Sequence, residues 1–307
     1  MKLLITGASG FIGTALIHQL LVAGHQVVGL SRTPERLHQK LSGRWRKKDS
    51  GQFRAINQLA EIDASENIEA IINLAGEPIL GKRWSEARKQ LIYNSRIDTT
   101  KALIELTKRL ETAPQVLISG SAIGFYGSQP DDRMLDESDE GRSGFTHKLC
   151  ADWETIALQA QAQGVRVCLL RTGVVLGDGG ALKQMLLPFR LALGGPIGKG
   201  KQWFSWIHLD DMLAIIEFLL AREVLTGAFN ATAPEPVTNA LFTRALGRAL
   251  HRPAVLPVPE WVLRLLLGEG AELLCEGQRV LPARLQEAGF EFAYPDIDLA
   301  LNAIVNP

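Results

Sequence analysis

The spacing of apolar and polar residues divides this chain into two textures. Leu3–Ile5 is a short apolar run that ends in a glycine-rich turn, the pattern of a buried strand. Ile12, Leu16, Leu20 and Ala23 then recur at helical spacing, and Gly24 closes the helix. Gln26–Leu30 predicts a second strand, and Ala70–Leu74 a compact buried one. Residues 33 to 66 are polar and support at most a weak strand near Phe53–Ile56. Residues 83 to 110 predict a long helix, Val116–Ser119 a strand, residues 146 to 163 a helix and Val165–Leu170 another strand. Strands separated by crossover helices predict an α/β fold: a Rossmann, doubly wound parallel sheet with helices on both faces.

From about Gly173 the texture changes. Residues 177–180 and 194–200 are rich in glycine turns, and Pro234, Pro236, Pro253, Pro257 and Pro259 punctuate the C-terminal stretch. Helices are expected near Asn239–Leu250 and Glu260–Leu267. The organisation expected is a nucleotide-binding domain over 1–175 and a smaller C-terminal α/β substrate or lid domain over 176–307. The chain can cross back into the sheet near 228–231.

Composition narrows the function classes. Lys plus Arg and Asp plus Glu both number 33 in 307 residues, so no overall field would recruit nucleic acid or an anionic membrane. The basic run Arg44–Lys48 reads as a solvated loop. Cys150, Cys168 and Cys275 are far apart without a CxxC, and the six histidines show no paired spacing. A reduced compartment is expected, and no metal site. Met1 leads directly into a strand rather than a signal peptide, and no apolar run is long enough to span a bilayer, so a cytoplasmic location is expected.

The sharpest chemical signal is Thr6-Gly-Ala-Ser-Gly-Phe-Ile-Gly13, directly after a strand and opening a helix. Gly7 permits the tight turn, Gly10 lets backbone approach a pyrophosphate, and Gly13 lets the helix pack on the sheet. The helix start supplies N–H groups for the anion. Gly7, Ser9, Gly10, Phe11 and Ile12 are therefore candidate cofactor contacts. At the end of the second strand, where an acidic residue would suit NAD, stand Ser31 and Arg32, then Thr33 and Arg36. A guanidinium there pairs with a 2′-phosphate, so Ser31 and Arg32 point to NADP(H); an exposed loop arginine is the plainer alternative.

Taken together these residues resemble the extended short-chain dehydrogenase/reductase superfamily. Thr6–Gly13 resembles its glycine motif, and Asn73, Leu74, Ala75 and Gly76 its cofactor-side turn after the fourth strand. Ser119–Gly127 resembles its serine strand end, Arg171–Gly177 its Arg-Pro-x-x-Val-x-Gly segment, and His208-Leu-Asp-Asp211 its helix start. Asn73–Pro78, Arg83-Trp84, Ser95-Arg96, Trp153-Glu154, Gln202-Trp203, Ser205–His208 and Gln278–Pro282 are similar to one atypical branch. That branch is known as "epimerase family protein" and carries a C-terminal domain of unassigned role. The resemblance covers essentially the whole chain. It implies cofactor contacts at Asn73, Leu74, Ala75, Gly76 and Arg171, and long helices that pair across a homodimer in relatives.

The chain departs from the superfamily at its Tyr-x-x-x-Lys pair. Counting back from Glu154, the Lys position falls on Cys150 and the Tyr position on Thr146. Lys148 lies two residues away, about 200° around a helix, and no tyrosine occurs from 128 to 293. By resemblance Ser121 matches the catalytic serine. Tyr126 either replaces the missing acid/base or packs with its hydroxyl satisfied. His208 is expected to fix a helix start rather than carry protons, with Asp210 or Asp211 as N-cap. Cys150 reads as packing rather than as a nucleophile. Glu77 and Arg83 follow the fourth strand, where such sheets place their ligand crevice, and Lys183, Gln202 and Trp203 would suit an anionic or flat small-molecule substrate. The resulting expectation is an NADP(H)-dependent oxidoreductase or epimerase-like enzyme acting on a small carbonyl or alcohol. The alternative is a non-catalytic NADP(H)-binding sensor on the same fold.

Overall fold

Alternate residues of the first strand face opposite layers of core. A computed structural model describes residues 1–42, 52–129 and 131–306, so the basic run at 44–48 lies outside the described residues. In β1 (Lys2–Thr6), Leu3 and Ile5 join one apolar cluster and Leu4 the other. The chain then builds α1 (Phe11–Val22), β2 (Gln26–Leu30), α2 (Pro34–Ser42), β3 (Phe53–Ile56), β4 (Ala70–Asn73) and α3 (Glu86–Arg109). It continues through β5 (Val116–Ala122), β6 (Met134–Leu135), α4 (Phe145–Leu158) and β7 (Arg166–Thr172). The second half holds β8 (Val174–Leu176), α5 (Gly180–Arg190), β9 (Trp203–Phe204), β10 (Trp206–His208), α6 (Leu209–Ala221) and β11 (Gly227–Ala231). Then come β12 (Val237–Thr238), α7 (Asn239–Ala249), α8 (Glu260–Leu267), α9 (Glu272–Cys275), β13 (Arg279–Val280), α10 (Ala283–Glu287) and α11 (Ile297–Val305).

Seven strands form one parallel sheet in the order β11-β7-β5-β4-β1-β2-β3. The order reverses between β1 and β4, which opens a crevice at their C-terminal ends. Side chains of α1, α2 and α6, including Leu16, Leu37 and Ile216, cover one face; those of α3 and α4, including Leu103 and Ala157, cover the other. The doubly wound α/β sheet is thus the observed fold. Strand β11 joins its edge, so the chain leaves the sheet after Thr172 and returns to it.

The smaller lobe has its own core of Leu176, Phe189, Trp206, Phe242, Leu246 and Leu301. Its two-stranded pairings, β8 with β10 and β9 with β12, are short, and β13 reaches back to β6. Two local expectations change. Residues 146–163 divide into α4 and a tighter 3-10 segment that Gly164 ends at φ 76°. At α6 the N-cap is His208: its Nδ1 accepts from the Asp210 N–H at 3.1 Å. Asp211 instead accepts from the N–H groups of Ala293 and Tyr294, at 2.8 and 3.0 Å, and ties the C-terminal segment to α6.

Candidate functional site

The turn after β1 is fixed by atoms that leave no room for side chains. Gly7 has φ 65°, and a Cβ there would strike the Leu74 carbonyl of the turn after β4. A Cβ on Gly13 would strike the Gly7 carbonyl, so β1, β4 and α1 interlock through bare backbone. Gly10 is the N-cap of α1, and no side chain caps that end. The first-turn N–H groups are therefore directed at whatever anion lies beyond the turn.

Ser31 is buried and its Oγ accepts from the Thr33 N–H at 3.2 Å. Arg32 is the reverse, with its side chain 93% exposed and only a 3.8 Å approach to Glu77. Lys40, from α2, donates to the Ser9 carbonyl at 3.2 Å and to Thr14 Oγ1 at 3.1 Å. It adds a second cation beside the turn, one that the sequence pattern did not reveal.

Asn73 is fully buried and works as a tie. Its Oδ1 accepts from Thr6 at 2.7 Å, and its Nδ2 donates to Thr100 at 2.9 Å and Ser119 at 3.3 Å. Trp153 Nε1 donates to the same Thr100 hydroxyl at 2.9 Å. This network sets the height of Leu74, Ala75 and Gly76 above the sheet; its Asn73 side chain is spent on protein partners.

At the C-terminal end of the sheet lies a cavity of about 520 Å³. Phe11, Ile12 and Leu74 bring the dinucleotide turn into its wall; Ile79, Leu149, Trp153 and Val174 make it largely apolar. Phe11 fits beneath Gly179 and Gly180, where any Cβ would overlap its ring. The polar lining includes Arg96, Ser121, Thr146, Cys150, Glu272 and Glu276. Glu272, Leu273, Glu276 and Gln278 come from the C-terminal lobe, which therefore closes one side of the cavity. Burial pushes the Cys150 thiol up to about 11, which keeps it protonated and inert as a nucleophile near neutral pH.

Beneath the cavity floor runs a buried polar chain. Ser121 Oγ donates to Glu154 Oε1 at 2.6 Å. Arg171 grips the same carboxylate through Nε at 2.9 Å and Nη2 at 3.0 Å, and its Nη1 donates to the Tyr126 hydroxyl at 3.1 Å. Tyr126 in turn donates to Asn230 Oδ1 at 2.7 Å.

Several sequence candidates stand apart from the cavity. Tyr126 is 0% exposed, and burial pushes its phenol up to about 12, so the packed and satisfied alternative describes it rather than the acid/base one. Arg171 is paired with Glu154, and its guanidinium lies 3.4 Å over the Phe125 ring. Glu77 pairs with Arg88 at 2.9 Å, which holds its carboxyl below the usual range. Gln202 donates to the carbonyls of Ile197 and Leu274 within the small lobe, and Trp203 donates to Asp132 in the loop before β6. Arg83 lies exposed against Gly268, and Lys183 is exposed on α5. None of these five lines the cavity.

Residues 3–231 match the NAD dependent epimerase/dehydratase family. This chain belongs to that family. Residues 258–304 of this epimerase/dehydratase family member match a second model, a domain of unknown function, DUF1731. The chain is 40% identical over 308 residues to the chloroplastic SDR39U1 homolog, an epimerase family protein of Arabidopsis thaliana, covering 99% of this chain and 87% of that one. It is 36% identical to the epimerase family protein YfhF of Bacillus subtilis, covering 99% and 98%. The crystal structure of human SDR39U1 (isoform 2) with NADPH superposes with a TM-score of 0.87 at 34% identity, covering 99% of both chains. UDP-glucuronic acid 4-epimerase of Bacillus cereus, at 17% identity and a TM-score of 0.77, shares the fold. Among the described residues no helix is long and apolar enough to cross a membrane.

In the sequence, Arg96, Trp153 and Glu154 carry no role beyond family likeness. A signal for Arg96 was present. Arg88, Ile92, Arg96, Thr100 and Leu103 recur at helical spacing, which puts Arg96 beside Arg88 on the inward side of α3.

Proposed function

We propose that this chain binds NADP(H) across the β1–α1 turn and oxidises or reduces a small alcohol or carbonyl held in the cavity. The observation that carries the reading is that Phe11 and Ile12 of the dinucleotide turn and Ser121 line one cavity. The glycine cradle fits the pyrophosphate, and Arg32 and Lys40 supply positive charge where a 2′-phosphate would stand. NADPH in the human relative, 34% identical along its whole length, supports the same cofactor here.

The nicotinamide, when bound, supplies or accepts the hydride. The chain's own part is proton handling and shape. Because the Ser121 proton points at Glu154, the Ser121 oxygen offers lone pairs to a substrate hydroxyl. In the oxidation direction the substrate proton passes to Ser121 Oγ as the serine proton passes to Glu154; reduction runs the relay backwards. Arg171 steadies the carboxylate in both directions. The apolar wall excludes water from the transfer.

A second reading, a non-catalytic NADP(H)-binding module, is favoured by the sequestration of Tyr126. The experiment is a titration with NADPH and NADH by protein-to-nicotinamide energy transfer, for wild type, Arg32→Ala, Arg32→Asp and Lys40→Ala. NADPH preference that weakens about tenfold or more in the variants supports the cofactor reading. Absence of binding to either nucleotide sinks it. Carbonyl screening then separates the two readings: turnover abolished in Ser121→Ala favours the enzyme, and no turnover across the panel favours the module.

A further inference from the structure

Arg96 lines the cavity from α3 without a carboxylate of its own. Its Nη1 donates to the carbonyls of Ile92 and Glu77 at 3.1 and 3.2 Å and lies 3.5 Å from Ser95 Oγ. Its Nε and Nη2 have no acceptor among the described residues. Glu77, the acidic side chain nearest in sequence to that turn, is taken by Arg88 at 2.9 Å and approached by Arg32 at 3.8 Å.

The open edge is the one that grips carboxylates. Arg171 shows this a short way off: its Nε and Nη2 hold both oxygens of Glu154. Arg96 Cζ lies over the Trp153 ring, 5.4 Å from its centroid. A Cβ on Gly76 would stand 2.8 Å from Cζ, 3.0 Å from Nη2 and 3.2 Å from Nε, with the central carbon nearest, which is a position over the plane. Glycine at 76 thus makes room for the guanidinium without standing against its Nε–Nη2 edge.

A guanidinium sunk in protein with no counter-anion is costly, and burial holds the Arg96 pKa below its usual value. An anion from outside the chain would relieve that cost. We infer that Arg96 is the anion-recognition residue of the cavity, gripping a carboxylate-type monoanion of the substrate through Nε and Nη2. This deepens the oxidoreductase reading and rests on it for the word substrate. Charge limits the class. Arg96 is the one cation among the described residues lining the cavity, and Glu272 and Glu276 stand in the same wall. A diphosphate would bring two negative charges to one guanidinium and two carboxylates. A single carboxylate on a small apolar or flat body matches both the charge and the apolar walls.

The competing source of the anion is the cofactor, whose phosphates enter by the neighbouring turn. The test therefore has two arms. Calorimetric titration measures NADPH and 2′,5′-ADP binding to wild type, Arg96→Gln and Arg96→Lys, with thermal melting to establish folding. A second titration adds benzoate, phenylacetate and their neutral amides to each protein, with and without NADPH. The expected result is NADPH affinity unchanged within about twofold, and at least one carboxylate bound by wild type more tightly than its amide. Carboxylate binding should fall about ten- to hundredfold in Arg96→Gln. Arg96→Lys, which keeps the charge without the fork, should fall between and keeps the question open to measurement if Arg96→Gln does not fold. Loss of NADPH but not 2′,5′-ADP affinity in the variants would give the guanidinium to the cofactor and overturn the proposal. So would equal carboxylate binding in all three proteins, or none in wild type. Carboxylate binding that depends on Arg96 in a protein unable to bind NADPH would sink the cofactor reading and leave this site standing.

Discussion

Ser121 and Glu154 are joined by a 2.6 Å hydrogen bond in which the serine donates, so the hydroxyl at the cavity wall has its proton turned inward. The same carboxylate is clamped by Arg171, and both charged side chains are about nine-tenths buried. Glu154→Gln keeps the shape but leaves Arg171 without its anion. Stability should drop by about 3–5 kcal/mol, the range for breaking a buried pair. Urea denaturation with two independent probes reads this, and a loss under about 1 kcal/mol would mean that the pair is not holding the floor of the cavity.

Tyr126 offers the opposite case, a group with acid/base chemistry and no access. Tyr126→Phe removes its bonds to Asn230 and Arg171. It should cost about 1–3 kcal/mol of stability while leaving NADPH affinity within about twofold. Any turnover found with wild type should persist in the variant. Abolished turnover in a fully folded Tyr126→Phe would restore the phenol to the chemistry.

Gly7→Ala sets a methyl group against the Leu74 carbonyl at a backbone angle that alanine rarely adopts. The strain is on the order of 1–3 kcal/mol, and the turn must shift away from β4 to relieve it. NADPH binding should be lost while the far-ultraviolet circular dichroism is kept. Retention of full affinity would show that the interlock of the two turns does not shape the cofactor bed.

His208 ties pH to stability. Its Nδ1 must be unprotonated to accept from the Asp210 N–H, and burial, against the pull of Asp210 and Asp211, holds its pKa below 6.5. Above pH 6.5 both folded and unfolded chains carry the neutral ring, and its contribution is complete. As pH falls below 6.5 the unfolded chain takes up a proton that the folded chain refuses, so stability declines towards the depressed folded pKa. Melting temperatures between about pH 7.5 and 5.5 should fall for wild type and fall less for His208→Gln, whose amide oxygen can still accept from Asp210. Parallel slopes would remove His208 as the cause.

β1, β2, β4, β5, β7, α1, α3 and the glycine turn were legible in the sequence because each depends on residues close together in the chain, whereas α2 falls in the polar stretch 33–66 that showed no helical pattern. Leu3–Ile5 followed by Gly7, Gly10 and Gly13 carries its own backbone requirement, and the structure uses those glycines for interlocking contacts. The family likeness of Ser121 was also local, a strand end with its neighbours.

What the sequence alone determined is therefore the doubly wound sheet, its crevice and the cofactor turn, all set by local periodicity and by positions that admit only glycine. Tertiary structure decided the state of each polar group around the cavity. Tyr126 is silenced by Asn230, 104 residues away, once β7 and β11 pair. Glu272 and Glu276 reach the cavity because the C-terminal lobe folds back over it. Arg96 bonds only the backbone carbonyl of Glu77, whose carboxylate is held by Arg88. A hydrogen bond or ion pair is settled by which partner arrives within about 3 Å, and that distance is fixed by packing between segments far apart in the chain.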